Sequence, residues 1–171
     1  MKGSNTGISI ILLICILPDF AWSQSAIEHH VWQDRRSFKP FSSTAKAITG
    51  NISLSGNSHF AIPGAKMELK FANGKSVLLT SIQASWRRWD DADSELHNAE
   101  AYHLQQDPGA LKNANTLCGD PVKHSAKYIV FYETTLMGQT PLLGMNVFDS
   151  SQPPKDIGSP GLCATFSFEV K

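Results

Sequence analysis

The chain has 171 residues, 15 basic and 15 acidic side chains, and no formal net charge. That is the size of one domain with its own core. The even balance lacks the basic surplus that steers proteins onto nucleic acid or anionic membranes, so no nucleic-acid partner is expected.

In chain order, the first predicted element is an export signal over 1–23. Lys2 gives a positive start, residues 7–17 are apolar, and Pro18-Asp19 ends the run. Ala21 and Ser23 place small residues three and one positions before a cut ahead of Gln24, the layout of a secretory signal peptide. Lys2 and Asp19 leave together, so the charge balance of the mature chain is unchanged. No second apolar run of about 18 residues follows, so no transmembrane segment is expected after the cut. Lipidation at Cys15 is disfavoured, because Ile14 is bulky and Cys15 lies inside the apolar run rather than at its end. With Cys15 removed, Cys118 and Cys163 form an even pair in an oxidising compartment, and a disulfide between them is expected.

Residues 24–44 mix charge, serine and scattered aromatics without a period and read as a flexible N-terminal arm, from which Trp32, Phe38 or Phe41 can tuck against the fold. The domain proper is expected over 45–171. Short β-prone runs are predicted at 47–54 and 58–62, then at 67–71 and 75–80 around Asn73-Gly74. That pair suits a type I′ hairpin turn with two positive φ angles. A further strand is expected at 82–89. The stretch 91–106 has the composition of a helix, capped by Asp91 or Asp93 and stopped by Asp107-Pro108-Gly109. Tyr102 and Leu104 alternate with His103 and Gln105, however, and this favours a loop over 90–98 followed by a strand over 99–105. Later strands are expected at 127–133, 142–148 and 162–170, with an irregular Pro- and Gly-containing loop over 149–161. In the last strand Leu162, Ala164, Phe166, Phe168 and Val170 share one face. Cys163 then lies opposite that stripe and should carry the disulfide on the outer side. The expected fold is all-β, a single antiparallel sandwich or small barrel with one disulfide.

Chemical motifs are weak. The histidines His29, His30, His59, His97, His103 and His124 show no His-Glu-x-x-His, and on a strand Glu100 points away from His103. No metal and no cofactor are therefore expected. Asp90, Asp91, Asp93 and Glu95 form an acidic run, but Leu96 and Tyr102 stand where a calcium loop begun at Asp91 needs glycine and glutamate. No nucleophile elbow, Ser-x-x-Lys, P-loop or dinucleotide fingerprint is present, so no catalytic residue is assigned. The most unusual tetrapeptide is Trp86-Arg87-Arg88-Trp89. Exposed tryptophan beside arginine stacks on sugars, bases or lipid headgroups. The plainer alternative is one tryptophan in the core, one at its rim, and arginines paired with the acidic run. The candidate binding surface is Trp86, Arg87, Arg88 and Trp89, with Tyr102 as a neighbour.

Three segments carry a resemblance: Ile48-Thr49-Gly50, Asn115-Thr116-Leu117-Cys118-Gly119 and Leu162-Cys163-Ala164-Thr165-Phe166. Together they resemble a group of small, functionally uncharacterised secreted proteins of Gram-negative bacteria, with Ala164 where glycine is more usual. The resemblance implies an envelope or secreted location, supports the Cys118–Cys163 bridge, and brings no catalytic residue. A lipocalin-like barrel would show a Gly-x-Trp near its first strand, which is missing, and no recognition loop of a bacterial lysozyme inhibitor is found.

The expected function is that of a non-enzymatic periplasmic or extracellular β-domain. Its partner would be an envelope protein, a cell-wall glycan or a small ligand. Two alternatives are a secreted hydrolase using the carboxylates and histidines of residues 90–103, which requires two or more of Asp91, Asp93, Glu95, His97, Glu100 and His103 to converge in a concave pocket, and a small-molecule carrier, which requires an enclosed apolar cavity.

Overall fold

The computed structural model describes residues 29–56, 60–119, 124–137 and 140–170. The signal peptide expected over 1–23, the start of the arm at 24–28, and His59 lie outside them. Eight strands follow in order: β1 Ser37–Pro40, β2 Ile52–Gly56, β3 Lys66–Phe71, β4 Ser76–Arg87, β5 His97–Leu104, β6 Tyr128–Leu136, β7 Thr140–Phe148 and β8 Leu162–Glu169. Each pairs antiparallel with the next, and β8 pairs with β1, so the sheet closes into a barrel. Among the described residues no helix is long and apolar enough to cross a membrane.

The period of two in β3 (Met67, Leu69, Phe71) aims alternate side chains inward, where they meet Leu79, Leu104, Ile129, Phe131, Met145, Phe166 and Phe168 in one cluster. An eight-stranded barrel is about wide enough to be filled by its own side chains. Here Trp32, Phe38, Tyr102, Phe131, Phe166 and Phe168 occupy the interior. A second cluster lies on the outer face of β5–β7, built from Trp89, Ala99, Ala101, Tyr128, Val130, Tyr132 and Phe148. The loop 149–161 covers it, with Pro154 and Ile157 buried and the Ile157 N–H donating to the Arg88 carbonyl at 3.0 Å. Being covered on both faces, β6 and β7 read as nearly continuous apolar runs rather than as alternation. Gly144 lies opposite Tyr132, whose ring fills the space a Cβ would need.

Several expectations are corrected. The described part of the arm is structured: a 3-10 turn at Val31–Gln33 precedes β1, which joins β2 through Ser37 and Phe38 and β8 through Lys39 and Pro40. Its scattered aromatics are anchors, since Trp32 and Phe38 are buried. A four-residue strand is too short to show a period. The run 47–54 is not one strand. Residues Ser43–Ile48 form a short helix, α1, capped by the Ser42 hydroxyl, which accepts from the Ala45 N–H at 3.2 Å. Gly50, at φ 63°, then turns the chain into β2. Of the strand expected at 58–62, the described residues 60–62 form a turn and its exit.

The Asn73-Gly74 hairpin is present with a different turn. Only Gly74 has positive φ, 86°, its N–H donates to the Phe71 carbonyl at 2.9 Å, and Phe71 donates to the Lys75 carbonyl. This is a type I turn followed by a glycine bulge. The separate strands predicted at 75–80 and 82–89 are the single 12-residue β4. The predicted strand at 99–105 is found as β5, and those at 127–133, 142–148 and 162–170 as β6, β7 and β8.

Cys118 and Cys163 are bridged across a sequence separation of 45. The bridge is not on the outer side. A register shift opposite Val147 and Phe148 pairs Phe148 with Leu162 and Val147 with Ala164, which makes Cys163 the extra residue. The bulge turns Leu162 outward and packs Cys163 against the interior cluster with the buried Cys118.

Candidate interaction site at the projecting end of β4

β3 and β4 differ in length, and the difference builds the site. Pairing with β3 ends at Lys66–Thr80, and Ser81 extends it by two backbone bonds, to Gly64 and Ala65. Beyond a bulge that makes Ile82 the extra residue, β4 continues from Gln83 to Arg87 paired with β5 alone. Strand alternation directs Gln83, Ser85 and Arg87 to the outer face, and Ala84 and Trp86 to the inner side of the rim. Trp86 is 52% exposed. Arg87 and Arg88 are exposed too, and among the described residues neither forms an ion pair; the Arg87 guanidinium donates to the Trp86 carbonyl at 3.0 Å. A cleft of about 490 Å³ runs beside this segment, lined by residues Gln83, Ala84, Ser85, Trp86 and Arg87 and by Lys155 from the covering loop.

Two members of the expected binding surface are elsewhere. Trp89 is fully buried because β4 ends at Arg87 and the chain folds back over the outer sheet. Its indole donates to Ser85 Oγ at 3.2 Å, Phe148 meets it edge-on at 6.4 Å, and Asn146 Nδ2 donates to its carbonyl at 2.7 Å. Tyr102 is fully buried inside the barrel, where it donates to Glu100 at 2.8 Å. The exposed part of the candidate surface is therefore Trp86, Arg87 and Arg88, beside Gln83 and Lys155. Sequence reasoning missed the last two, and Lys155 carries no local signal that would join it to β4.

The acidic run and the histidines are partly gathered. Asp93 Oδ1 lies 3.1 Å from His97 Nε2, while His97 Nδ1 lies 3.0 Å from the Glu133 carbonyl. Both ring nitrogens thus face oxygen atoms of the fold. Asp90 accepts from Thr134 at 2.9 Å and from the Ala92 N–H at 2.9 Å. Asp93 and Glu95 share a cleft of about 510 Å³ with Asp90 and Met137, and Glu95 and His97 line a smaller one of about 210 Å³. Asp91 is exposed, His103 stands outside against Tyr128, and Glu100 is sealed inside with Ser81, Trp32 and Tyr102 as donors. The plainer pairing of the arginines with the acidic run is not made. Burial, followed by Asp90 and Asp93, pushes the Tyr132 phenol far up and keeps it neutral. Exposed His29 pairs with Asp34 at 2.6 Å, and His124 with Asp149. Among the described residues no group of three or more His, Cys, Asp or Glu is placed to hold a metal ion.

Below the rim, the N-terminal turn closes the barrel end. Trp32 enters the interior and donates to Glu100 at 3.3 Å, His30 stacks on it at 4.4 Å, and Glu133 accepts from His30 and from the Val31 N–H at 2.8 Å. The His30 hydrogen bond, aided by Val31 and opposed by burial, holds the Glu133 carboxyl below its ordinary range. A carboxyl lowered by folding adds stability that is complete above its unfolded-state pKa and is lost as pH falls through its folded one. Acidification through the carboxylate range should therefore loosen this turn, read by near-ultraviolet circular dichroism. Glu133→Gln should shrink the acid-side loss, and identical acid profiles would contradict the role of Glu133.

No protein-family model, curated protein or solved structure matches this chain.

Proposed function

We propose that the protein is an exported, non-enzymatic β-barrel module that binds another envelope macromolecule through the projecting end of β4. The observation that carries this reading is Trp86, whose indole stands half in solvent beside two arginines without ion pairs among the described residues. Tryptophan and arginine are the residue types that dominate binding energy at protein interfaces. Export is supported by the leader-like first 23 residues and by a disulfide, a bond that persists in oxidising compartments. A non-enzymatic role is supported by the fate of the polar groups. Asp93 and His97 hold each other, Glu100 is enclosed, and the Glu133 carboxyl moves away from the raised pKa a general acid needs. The aromatic filling of the interior favours a surface partner over an enclosed ligand.

Immobilised protein spanning 24–171 should capture its partner from an envelope extract of the producing cell. Trp86→Ala should lose most of that capture while changing folding stability by no more than about 0.5 kcal/mol, as expected of an exposed site. Trp89→Ala should instead cost about 3–5 kcal/mol of stability. Undiminished capture by folded Trp86→Ala would contradict the proposal.

A further inference from the structure

Among the described residues, the segment Gln83–Arg87 of β4 has no strand partner on the side away from β5. In an antiparallel strand, alternate residues direct both N–H and C=O to the same side. Those of this segment that turn away from β5 meet no strand among the described residues. On that backbone the Arg87 guanidinium donates to the Trp86 carbonyl at 3.0 Å. Such an edge is a template for an added strand unless it is guarded, and positive charge is one common guard. Here the guard is selective. Arg87, Arg88 and Lys155 form no ion pair among the described residues, and a second copy laid edge to edge would set these cations along the same seam as its own.

Resting on the proposed binding role, the geometry points to β4 as a strand-addition site for an extended acidic peptide segment of the partner. The peptide would lie in the cleft beside Gln83–Arg87 and pair its backbone with the open edge. Alternation then sorts its side chains. Those on the outer side pass Gln83, Ser85, Arg87 and Lys155 and should be acidic or polar. Those on the inner side pass Ala84 and Trp86 and should be apolar. The recognised segment is thus about six residues long, roughly 20 Å, with acidic and apolar residues in alternation.

The test uses ¹⁵N-labelled protein spanning 24–171 and a blocked hexapeptide alternating glutamate with valine. Binding should slow amide exchange at the outward-facing N–H groups of Gln83–Arg87. N-methylation of the peptide's pairing amides should weaken binding by about tenfold or more, since each lost hydrogen bond is worth up to about a factor of ten. Replacing glutamate by lysine in the peptide, or Arg87→Glu with Lys155→Glu in the protein, should weaken it comparably. Equal binding of the methylated peptide, protection confined to another strand, or no binding would overturn the inference. So would protection that grows with protein concentration alone together with a doubled sedimenting mass, because the edge would then belong to a second copy. Failure here with capture still lost in Trp86→Ala removes strand addition and leaves the binding role standing. Undiminished capture by Trp86→Ala removes both.

Discussion

Trp32→Ala is expected to lower folding stability by about 3–5 kcal/mol, the range for removing a large buried aromatic side chain. Trp32 is fully buried in the interior cluster and stacks on His30 with the rings 4° from parallel. Its loss leaves a cavity at the barrel end and takes one donor from the enclosed Glu100, which keeps Tyr102 and Ser81. Two terms therefore add: lost packing, and a buried carboxyl group with one hydrogen bond fewer. Trp32→Phe separates them, because it keeps most of the ring and removes the donor, and should cost about 1–3 kcal/mol. Urea unfolding followed by far-ultraviolet circular dichroism reads both variants. A loss below about 1 kcal/mol for Trp32→Ala would mean that the N-terminal turn is not part of the folded barrel.

Loss of the Cys118–Cys163 bridge should have an effect of similar size through the unfolded chain. Closing a loop across a sequence separation of 45 restricts the unfolded ensemble, and loop-closure entropy puts the gain at about 4 kcal/mol. The bridge ties the segment before β6 to the bulge at the start of β8, against the interior cluster. Cys118→Ser with Cys163→Ser should therefore lower the melting temperature sharply without changing the native sheet. Cys118→Ala with Cys163→Ala should do nearly the same, because the link rather than the thiol is what matters. A double variant within about 1 kcal/mol of the parent would assign the bridge no role in stability.

The legible parts of the fold were those where one rule acted alone. β3 has one buried face, and its alternation announced it. β8 was legible from Phe166 and Phe168, but the bulge at Cys163 was not, because a register shift depends on the neighbouring strand. The disulfide could be read because an export signal ending before Gln24 would take Cys15 with it and leave a single pair. Ile48 and Thr49 misled, since their β-branched side chains mask a capped helical turn that Ser42 and Gly50 define. Within the site, Trp86, Arg87 and Arg88 stood out by composition. Trp89 shares that composition but not their exposure, because β4 stops at Arg87 and the chain turns back over the sheet. The burial of Tyr102 is not legible, because alternation fixes which residues share a face and not which face is inward. The open edge arises from a mismatch between the 6 residues of β3 and the 12 of β4, and it shows only once the register is known.

The most direct test of the binding surface is residue-resolved amide exchange on the unliganded protein. If Gln83–Arg87 is an open edge, protection should alternate along it, with amides bonded to β5 slow and the intervening outward amides exchanging at nearly unprotected rates. Uniform slow exchange through residue 87 would mean that the edge is already covered, and strand addition at this surface would be contradicted.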